Sequence, residues 1–313
     1  MARWTTQIRR AMTQAGMDWA ADLSAHLSPG AALVLGRAIG TGGALAAPLR
    51  MRLAKNLELA LGKGNVPPGV GQQYFQNLGQ LAGWTMAIYR RGLVGSGACD
   101  KVRFDDSVCH LDDAIARGRG VIVAAPHLFG HEIAAGHTAL QRGLVALVRE
   151  SKNPKRTAMK HHWYAQLGVE TLRRPRKASV MSDIGACVEV LSQGKVLAIT
   201  PDVVVSKTQG MPVRVFDREV YLQPGMVYLA VHAGAPLVSS FGQWDHESGV
   251  SISFNEPIEF EDRGPRKPIV RAGLQDWCDK FEAYVRANPA NWLFWMDKRW
   301  TQVIRSGAAA TGT

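Results

Sequence analysis

Residues 121–140 read VIVAAPHLFGHEIAAGHTAL, and this stretch decides the fold that the sequence predicts. Its first five residues form an apolar run without alternation, rich in β-branched side chains, which is typical of a strand buried on both faces. Pro126 interrupts the run, and the polar segment after it leads into a predicted helix. Open α/β sheets place ligands outside the carboxyl ends of their strands. The stretch therefore predicts a ligand site just after Pro126.

Two titratable side chains, His127 and Glu132, follow this proline at a spacing of five residues. Histidine has an unperturbed pKa near neutrality and is the natural general base. A carboxylate one helical turn away can fold back to the imidazole, fix its tautomer and stabilise the imidazolium, as the aspartate of a Ser-His-Asp triad does. The attacking hydroxyl would then belong to the substrate, and an acyl group would move directly from a thioester to an alcohol. The alternative is a polar helix start, with Glu132 favoured by the helix dipole.

The composition indicates a folded protein with a negatively charged partner. The chain has 313 residues, of which 46% are hydrophobic and 20% charged, so it can bury a sizeable core and is not disordered. Its formal net charge is +11. This balance favours a nucleic acid, an anionic membrane or an acidic carrier protein as the partner.

The cysteines and the apolar segments further limit the class of protein that this chain can belong to. The cysteines are widely spread and form no CxxC pair, so neither a disulfide framework nor a zinc ribbon is expected, and a reducing compartment fits. They are Cys99, Cys109, Cys187 and Cys278. Neither a secretory signal nor an apolar run of about 18 residues is found, so no transmembrane helix is expected.

Three segments are predicted along the chain. Residues 1–63 are expected to form amphipathic, membrane-associated helices, residues 64–305 an α/β domain, and residues 306–313 a disordered tail. The first segment carries eight Lys and Arg against three Asp and Glu, beside Trp, Leu and Met side chains, which is typical of a helix in a membrane interface. A helical pair that caps the sheet is the alternative, and both can hold at once.

Predicted strands alternate with predicted helices along most of the chain. This alternation favours an α/β fold with a mixed, mostly parallel central sheet flanked by helices. The strands besides the first are expected at residues 102–104, 144–148, 195–200, 213–216, 236–241 and 250–254. The helices are expected at residues 51–61, 72–89, 111–117, 181–192, 224–233 and 275–286.

The most basic part of the chain is residues 142–177, with ten Lys and Arg against two Asp and Glu. Like charges repel, so such a concentration favours an anion-binding role over a merely solvated face. The pair His161-His162 in this segment is interpreted as a surface contact to lipid headgroups or to a carrier protein, not as a catalytic pair. Further on, Pro201-Asp202 follows a predicted strand, so Asp202 is expected to line the same cleft as His127.

The order of these motifs resembles the late acyltransferases of lipid A biosynthesis, the lauroyl and myristoyl transferases, within the lysophospholipid acyltransferase superfamily. The resemblance runs from about residue 50 to residue 300. Its motifs are Arg52 with Asn56-Leu57, His127 with Glu132, Asn153-Pro154, Gly194-Lys195-Val196, Pro201-Asp202, Gly225 with Ala230 and Gly234-Ala235-Pro236, and Asn288-Pro289 with Trp295 and Arg299.

The resemblance implies a membrane-associated O-acyltransferase at the cytoplasmic face of the inner membrane, peripheral or monotopic. His127 and Glu132 would be the catalytic dyad, and no cofactor or metal is implied. An acyl carrier protein is the favoured donor, with acyl-coenzyme A as the alternative. The residues expected to bind substrate are Arg173 or Arg174, Asp202, Asn153 and Lys152.

The acceptor implied by the resemblance is a lipid A precursor, but two departures from the family pattern weaken that choice. Residues 215–217 read Val-Phe-Asp where Phe-Phe-Gly is usual, and residues 222–224 read Leu-Gln-Pro in place of a threonine-rich segment. A lyso-aminolipid, a lysophospholipid or another single-chain lipid alcohol is therefore the rival acceptor. The oligomeric state stays open.

Two further groups are expected around the dyad. The oxyanion would be met by backbone amides after Pro126 and by a guanidinium from Arg173 or Arg174. An apolar groove would hold the acyl chain, at about 0.8 kcal/mol per buried methylene.

Two other classes of function compete with acyl transfer. His127, His131 and Glu132 suggest a zinc hydrolase, but the order is not HExxH because the next histidine is His137. The basic segment and Trp163-Tyr164 suggest a nucleic-acid-binding protein, but no helix-turn-helix, RNP or zinc-finger signature is present.

Overall fold

The structure is a computed structural model that describes residues 15–16, 18–19, 21–174, 180–245, 249–260 and 266–306. The strands are β1 (Val102–Phe104), β2 (Val121–Ala124), β3 (Leu144–Arg149), β4 (Glu170–Arg174), β5 (Val196–Ile199), β6 (Met211–Val215), β7 (Arg218–Leu222), β8 (Leu237–Asp245) and β9 (Gly249–Phe254). The helices are α1 (Pro29–Leu45), α2 (Ala47–Leu61), α3 (Val70–Gly95), α4 (Val108–Ala116), α5 (His131–Arg142), α6 (Pro154–Gln166), α7 (Val180–Ser192), α8 (Gly225–Ala233), α9 (Arg266–Ala287) and α10 (Lys298–Ser306). Short 3-10 turns lie at Cys99–Lys101, Pro289–Asn291 and Leu293–Met296.

Seven strands form one mixed sheet in the order β1-β9-β8-β2-β5-β3-β4. Neighbouring strands run parallel except β8 and β9, which are antiparallel. Helices flank this sheet, so the predicted α/β class with a mostly parallel sheet is confirmed. β6 and β7 form a separate antiparallel hairpin.

The central strand β2 positions the site. All its residues are buried, as its unbroken apolar run predicts. It pairs in parallel with β5, with Ala124 opposite Ile199. Since parallel neighbours end at the same edge of a sheet, the loop after β2 meets the loop after β5. The first loop carries His127 and the second carries Asp202.

The β6–β7 hairpin has an unusual turn for its sequence. Its two loop residues, Phe216 and Asp217, both have positive φ, at 52° and 58°. Two-residue hairpin turns of this kind usually carry Asn-Gly or Asp-Gly, because glycine accepts the left-handed region without strain. Phe216 is instead fixed by burial among Trp292, Trp295 and Phe281. The turn thus accounts for how the departure at residues 215–217 fits the fold.

The N-terminal helix α1 contacts α3 through a glycine seam, formed by Gly36 and Gly40 of α1 and Gly79 and Gly83 of α3. A Cβ on Gly36 would lie 2.3 Å from the Gly79 carbonyl oxygen, and one on Gly79 would lie 2.4 Å from that of Gly36. The two backbones therefore touch directly.

Helix α2 is fastened to the C-terminal part of the chain. The buried Asn56 side chain donates to the Trp295 carbonyl at 2.7 Å, and Arg52 donates to the Met296 carbonyl at 3.0 Å. These contacts join the Arg…Asn-Leu motif to the C-terminal motif, although the two lie far apart in the sequence. The predicted division at residue 63 stays a prediction.

Of the described helices, none is by itself long and apolar enough to cross a membrane. Helices α1 and α2 meet that criterion only as a pair, and they are bent by 75° at their junction. Residues 1–14 of the predicted membrane-associated segment, and residues 307–313 of the predicted disordered tail, lie outside the described residues. Ser306, assigned to that tail, ends α10.

Candidate active site

His127 and Asp202 form a hydrogen-bonded pair at the carboxyl ends of β2 and β5. Nδ1 of His127 lies 2.6 Å from Oδ1 of Asp202, and the His127 backbone N–H donates to Oδ2 at 3.0 Å. The Asp202 side chain is fully buried, whereas 24% of the His127 side chain is exposed. Because Nδ1 faces the carboxylate, Nε2 is the nitrogen left to exchange a proton with a substrate.

Two tryptophans from the C-terminal part of the chain complete the surroundings of Asp202. Trp292 Nε1 donates to Oδ2 at 3.1 Å, and Trp300 Nε1 donates to the Asp202 backbone carbonyl at 2.8 Å. Both indoles are buried. A buried carboxylate is costly unless it is paired and hydrogen-bonded, and here it is both.

The two ionisable groups shift each other's pKa in opposite directions. Burial raises the pKa of Asp202, but the charge and hydrogen bond of His127 and the Trp292 N–H outweigh it, so the pKa lies below its usual value. Burial lowers the pKa of His127, but the charge and hydrogen bond of Asp202, with smaller contributions from Glu132 and Asp297, raise it above its usual value. The pair is therefore built to stabilise an imidazolium.

Glu132 lies in the first turn of α5, but its carboxylate has other hydrogen-bond partners than the imidazole. Trp163 Nε1 donates to one oxygen at 2.9 Å, and the Tyr164 hydroxyl donates to the other at 3.2 Å. The carboxylate expected on the imidazole nitrogen is therefore corrected from Glu132 to Asp202, because α6 holds Glu132 away from Nδ1. The charge of Glu132 is one of the smaller causes that raise the pKa of His127.

Residues 288–297, here called the C-terminal strap, bind the loop that carries His127. The Leu293 N–H donates to the His127 carbonyl at 3.0 Å, and the Phe129 N–H donates to the Asn291 carbonyl at 2.9 Å. The strap thus reaches His127 through its backbone and Asp202 through Trp292. Trp292 and Trp295 are both buried, and Trp292 is also hydrogen-bonded to the site.

The backbone amides after Pro126 are engaged within the protein, contrary to their expected role toward an oxyanion. The N–H groups of His127, Leu128 and Phe129 donate to Asp202 Oδ2, the Pro126 carbonyl and the Asn291 carbonyl. A tight loop satisfies its own donors in this way because they are buried. The other donors that the sequence names, the guanidinium groups of Arg173 and Arg174, lie at the end of β4, three strands away from β2.

His131 is a neutral neighbour of the base. Its ring centre lies 5.1 Å from that of His127, and Nδ1 donates to the Leu128 carbonyl at 2.8 Å. Burial lowers the pKa of His131 below its usual value. In the described parts of the chain, no group of three or more His, Cys, Asp or Glu side chains is arranged to hold a metal ion.

The substrate-binding candidates lie at the same edge of the sheet, but farther along it. Asn153 caps α6, since its side chain accepts the Lys155 N–H, and Lys152 is exposed beside it. Arg173 and Arg174 end β4, which is separated from β2 by β3 and β5. Three strand spacings amount to roughly 14 Å, so β4 places these arginines toward a distant part of a large substrate.

A cavity of about 670 Å³ opens on the Glu132 side of the site. Its wall combines apolar side chains with charged ones. It is lined by Ala21, Ser24, Thr85, Met86, Tyr89, Glu132, Arg149, Glu150, Ser151, Arg156, Met159, Lys160 and Trp163. A cavity lined by both apolar and charged side chains suits an amphiphile.

Comparison with known proteins gives a family match and a similar relative. The profile of a family described as bacterial lipid A biosynthesis acyltransferase matches residues 27–302, which include His127, Glu132 and Asp202. The chain is also similar to the phosphatidylinositol mannoside acyltransferase of Mycobacterium tuberculosis (strain CDC 1551 / Oshkosh), at 25% identity over 184 residues. That alignment covers 58% of this chain and 55% of the relative, so it spans little more than half of the relative's length. The family match confirms the resemblance seen in the sequence.

Proposed function

Because the chain belongs to the bacterial lipid A biosynthesis acyltransferase family, we propose that it moves a fatty acyl group from a thioester to a hydroxyl of a lipid. The observation that carries this proposal is the His127–Asp202 pair, with Nδ1 and Oδ1 2.6 Å apart at the carboxyl edge of the sheet. The family match favours this reaction over a zinc hydrolase and over a nucleic-acid-binding protein.

The proposed reaction needs one base and one substrate hydroxyl. His127 Nε2 takes the proton of the acceptor hydroxyl while its oxygen attacks the thioester carbonyl carbon. The tetrahedral intermediate then collapses, the C–S bond breaks, and the leaving sulfur takes the proton from the imidazolium. An ester and a free thiol result. General base catalysis of this kind contributes roughly 10²–10⁴-fold, and positioning of both substrates supplies more.

Asp202 is proposed as the positioning carboxylate of the base. Its bond to Nδ1 keeps the proton of the neutral imidazole on that nitrogen, which leaves Nε2 unprotonated. Its charge stabilises the imidazolium as the proton arrives. This role replaces the tautomer-fixing part that the sequence assigns to Glu132.

We propose that Glu132, the acid of the His-x4-Glu motif, is a second catalytic carboxylate beside Asp202. Its negative charge favours the protonated imidazole, and the bonds from Trp163 and Tyr164 hold the carboxylate in place. The like-signed Asp202 already occupies Nδ1, so the two carboxylates act on one imidazole from different directions. Loss of either is expected to slow transfer, with Asp202 the larger of the two effects.

The cavity beside Glu132 is the proposed place for a hydrocarbon chain. Met86, Met159 and Trp163 provide its apolar wall. Each buried methylene contributes about 0.8 kcal/mol, so a cavity of this volume can hold a long chain firmly.

The donor is proposed to be an acyl carrier protein, with acyl-coenzyme A as the alternative. Both are anionic, and both would meet the basic residues that follow β3 and that end β4. Lys152, Arg173 and Arg174 are the candidates for this contact. Such attraction raises association rates and weakens as salt is added.

The acceptor is proposed to be a lipid A precursor, as the family description indicates. The lyso-aminolipid and lysophospholipid alternatives stay in place, because one site geometry serves any hydroxyl on an amphiphile. The name of the mycobacterial relative adds a mannosylated phosphatidylinositol to the acceptors worth testing.

We place the reaction at the cytoplasmic face of the inner membrane, with the protein attached as a peripheral or monotopic enzyme. Large apolar side chains are exposed on α1 and the start of α2, a feature typical of a docking surface. This membrane-facing patch consists of Val34, Ile39, Leu45, Leu49 and Met51. Arg37 and Arg50 are exposed within the same stretch and would meet anionic headgroups.

The test is an acylation assay read by mass spectrometry. The protein is incubated with labelled acyl carrier protein thioester or acyl-coenzyme A, and with lipid extracts or the purified acceptors. His127→Ala and Glu132→Gln are compared with two exposed controls, His232→Ala and Glu189→Gln. One lipid should gain one acyl chain, with His127→Ala inactive, Glu132→Gln slowed and both controls active. An active His127→Ala variant, or no acylated lipid with either donor, would overturn the proposal.

A further inference from the structure

The face of the His127 imidazole is covered by an aromatic ring from the C-terminal strap. The Phe294 ring stacks on the imidazole with a centre-to-centre distance of 4.3 Å and an interplanar angle of 24°. Phe294 itself is half-buried. This contact was not anticipated from the sequence.

The position of Phe294 is fixed by its neighbours in the strap. Leu293, one residue before, donates its N–H to the His127 carbonyl at 3.0 Å. Trp292, two residues before, lies in a buried aromatic cluster and donates to Asp202 at 3.1 Å. On the other side, the Asp297 N–H donates to the Phe294 carbonyl at 2.9 Å. The backbone on both sides of Phe294 is therefore fixed by hydrogen bonds, and this fixes the position from which its ring reaches the imidazole.

The stacked ring and the Asp202 carboxylate restrain the imidazole in different directions. The hydrogen bond to Nδ1 lies in the plane of the imidazole. It therefore still permits the imidazole ring to rotate about the axis of that bond. A ring stacked on the face blocks that rotation. An aromatic face also attracts a cation, and this attraction exists only once the imidazole has gained its proton. The contact is thus stronger in the charged state that the reaction passes through.

We propose that Phe294 is a positioning residue for acyl transfer, which keeps Nε2 of His127 aimed at the acceptor hydroxyl and stabilises the imidazolium formed during the reaction. This inference rests on the proposed function. It assigns a purpose to the C-terminal strap: the strap places one restraint on the imidazole through Phe294 and one on Asp202 through Trp292.

Several other charged or titratable groups face His127, and substitution of Phe294 leaves them all in place. They are Asp202 after β5, His131 and Glu132 on α5, and Asp297 before α10. A change in the titration of His127 after substitution at Phe294 therefore reports on the ring.

The decisive comparison uses Phe294→Leu, which removes the aromatic face, and Phe294→Tyr, which keeps it. The control is Phe104→Leu, because Phe104 packs on a different histidine, His137, at 5.0 Å. We expect kcat of Phe294→Leu to fall about 3- to 30-fold with KM within about twofold, and the acid limb of its pH profile to move down by about half a unit to one unit. The acid limb of the pH profile should stay at the wild-type position in Phe294→Tyr and in Phe104→Leu.

A second readout does not need acyl transfer. The His127 imidazole is titrated by nitrogen NMR of histidine-labelled protein, with its signal assigned by its loss in His127→Gln. A lower pKa in Phe294→Leu than in wild type and Phe104→Leu supports the inference, even if no lipid is ever acylated. If Phe294→Leu fails to fold by its melting curve, Phe294→Met replaces it with the same expectations. An unchanged pKa, or an unshifted acid limb with a normal kcat, overturns the inference.

Discussion

Trp292 donates its indole N–H to Oδ2 of the fully buried Asp202 at 3.1 Å. This bond ends on a charged group, and bonds to charged groups contribute about 1.5–3 kcal/mol. Trp292→Phe keeps an aromatic ring but leaves the carboxylate short of one donor. We expect it to lower the free energy of unfolding by about 2–4 kcal/mol, measured by urea denaturation, once the lost ring volume is included.

A matched control for that variant is Trp295→Phe. It loses the same ring volume, but its indole donates to a neutral acceptor, the Pro289 carbonyl, at 2.6 Å. Trp292→Phe should therefore be the less stable of the two and should also lower activity. Equal stability and equal activity of the two variants would show that the bond to Asp202 is unimportant.

The pH dependence of activity follows from the His127–Asp202 pair. The base acts only when neutral, and its pKa is raised above the usual value despite burial, chiefly by Asp202. Wild-type activity should therefore fall as the pH drops through a value above about 6.5. Asp202→Asn removes the charge that raises the pKa, so its acid limb should move to lower pH. Its kcat should fall by roughly 10²–10⁴-fold, because the tautomer is no longer held.

The control for this charge change is Asp276→Asn, an exposed position on α9 that pairs with Lys280. The measurement is the pH profile of kcat and of kcat/KM. Asp276→Asn should reproduce the wild-type profile. If Asp202→Asn keeps the wild-type acid limb, another group sets that limb, and the assignment of the pair fails.

The sequence was sufficient to predict the strand and the base of the site. It was not sufficient to predict which carboxylate bonds to that base. The unbroken apolar run of β2 and the His-x4-Glu motif after it located the strand and the base. The partner of the base lies 75 residues farther along the chain. It reaches Nδ1 only because β5 pairs with β2, and strand order does not follow from local patterns. Motif spacing therefore assigned Glu132, the nearer acid in sequence, to the place that Asp202 occupies.

Some elements were missed for equally physical reasons. β4 carries Glu170, Arg173 and Arg174 at the edge of the sheet, so it lacks the apolar pattern of a buried strand. β7 follows a turn of Phe216 and Asp217, which gives no glycine signal. Its conformation is fixed by tertiary packing of Phe216, which a local pattern does not contain.

Gly130 is expected to tolerate no side chain. It precedes α5 with φ of 76°, and a Cβ would lie 2.4 Å from the Trp244 ring. Gly130→Ala should cost roughly 2–5 kcal/mol of unfolding free energy, from the left-handed backbone and the clash together. Gly143→Ala is the control, since Gly143 has φ of 66° and nothing within 4 Å of its Cβ. Urea denaturation should show a much smaller loss for the control, and similar losses would refute a role for the clash.

Chain-length preference should respond to the wall of the cavity beside Glu132. Met159 on α6 lines this cavity, and Met159→Trp would fill part of it. Acyl donors shorter by a few methylenes should then be preferred, by about fourfold for each methylene excluded. Ala165→Trp, exposed on the same helix, should leave the preference unchanged. Competition between labelled donors of different length measures the shift, and an unchanged preference in Met159→Trp would move the acyl chain elsewhere.

Binding to anionic vesicles should depend on the membrane-facing patch. Leu45 and Met51 are 73% and 69% exposed, and the double variant Leu45→Asp, Met51→Asp should bind at least about tenfold more weakly in cosedimentation. Val94→Asp is the control, because Val94 is 67% exposed at the far end of α3. Equal binding by both variants would place the membrane contact elsewhere.

The glycine seam between α1 and α3 determines how this helix pair stays packed at a water–lipid boundary. Most helix contacts in water depend on apolar side chains withdrawing from solvent, a driving force that is absent in a hydrocarbon environment. Here Gly36 and Gly79 bring two backbones into direct contact, a form of packing that serves equally in both media. The outer side of α1 can therefore contact water or lipid tails while α1 stays packed against α3. Attachment to a bilayer would then leave the contact between α1 and α3 unaltered, on and off the membrane.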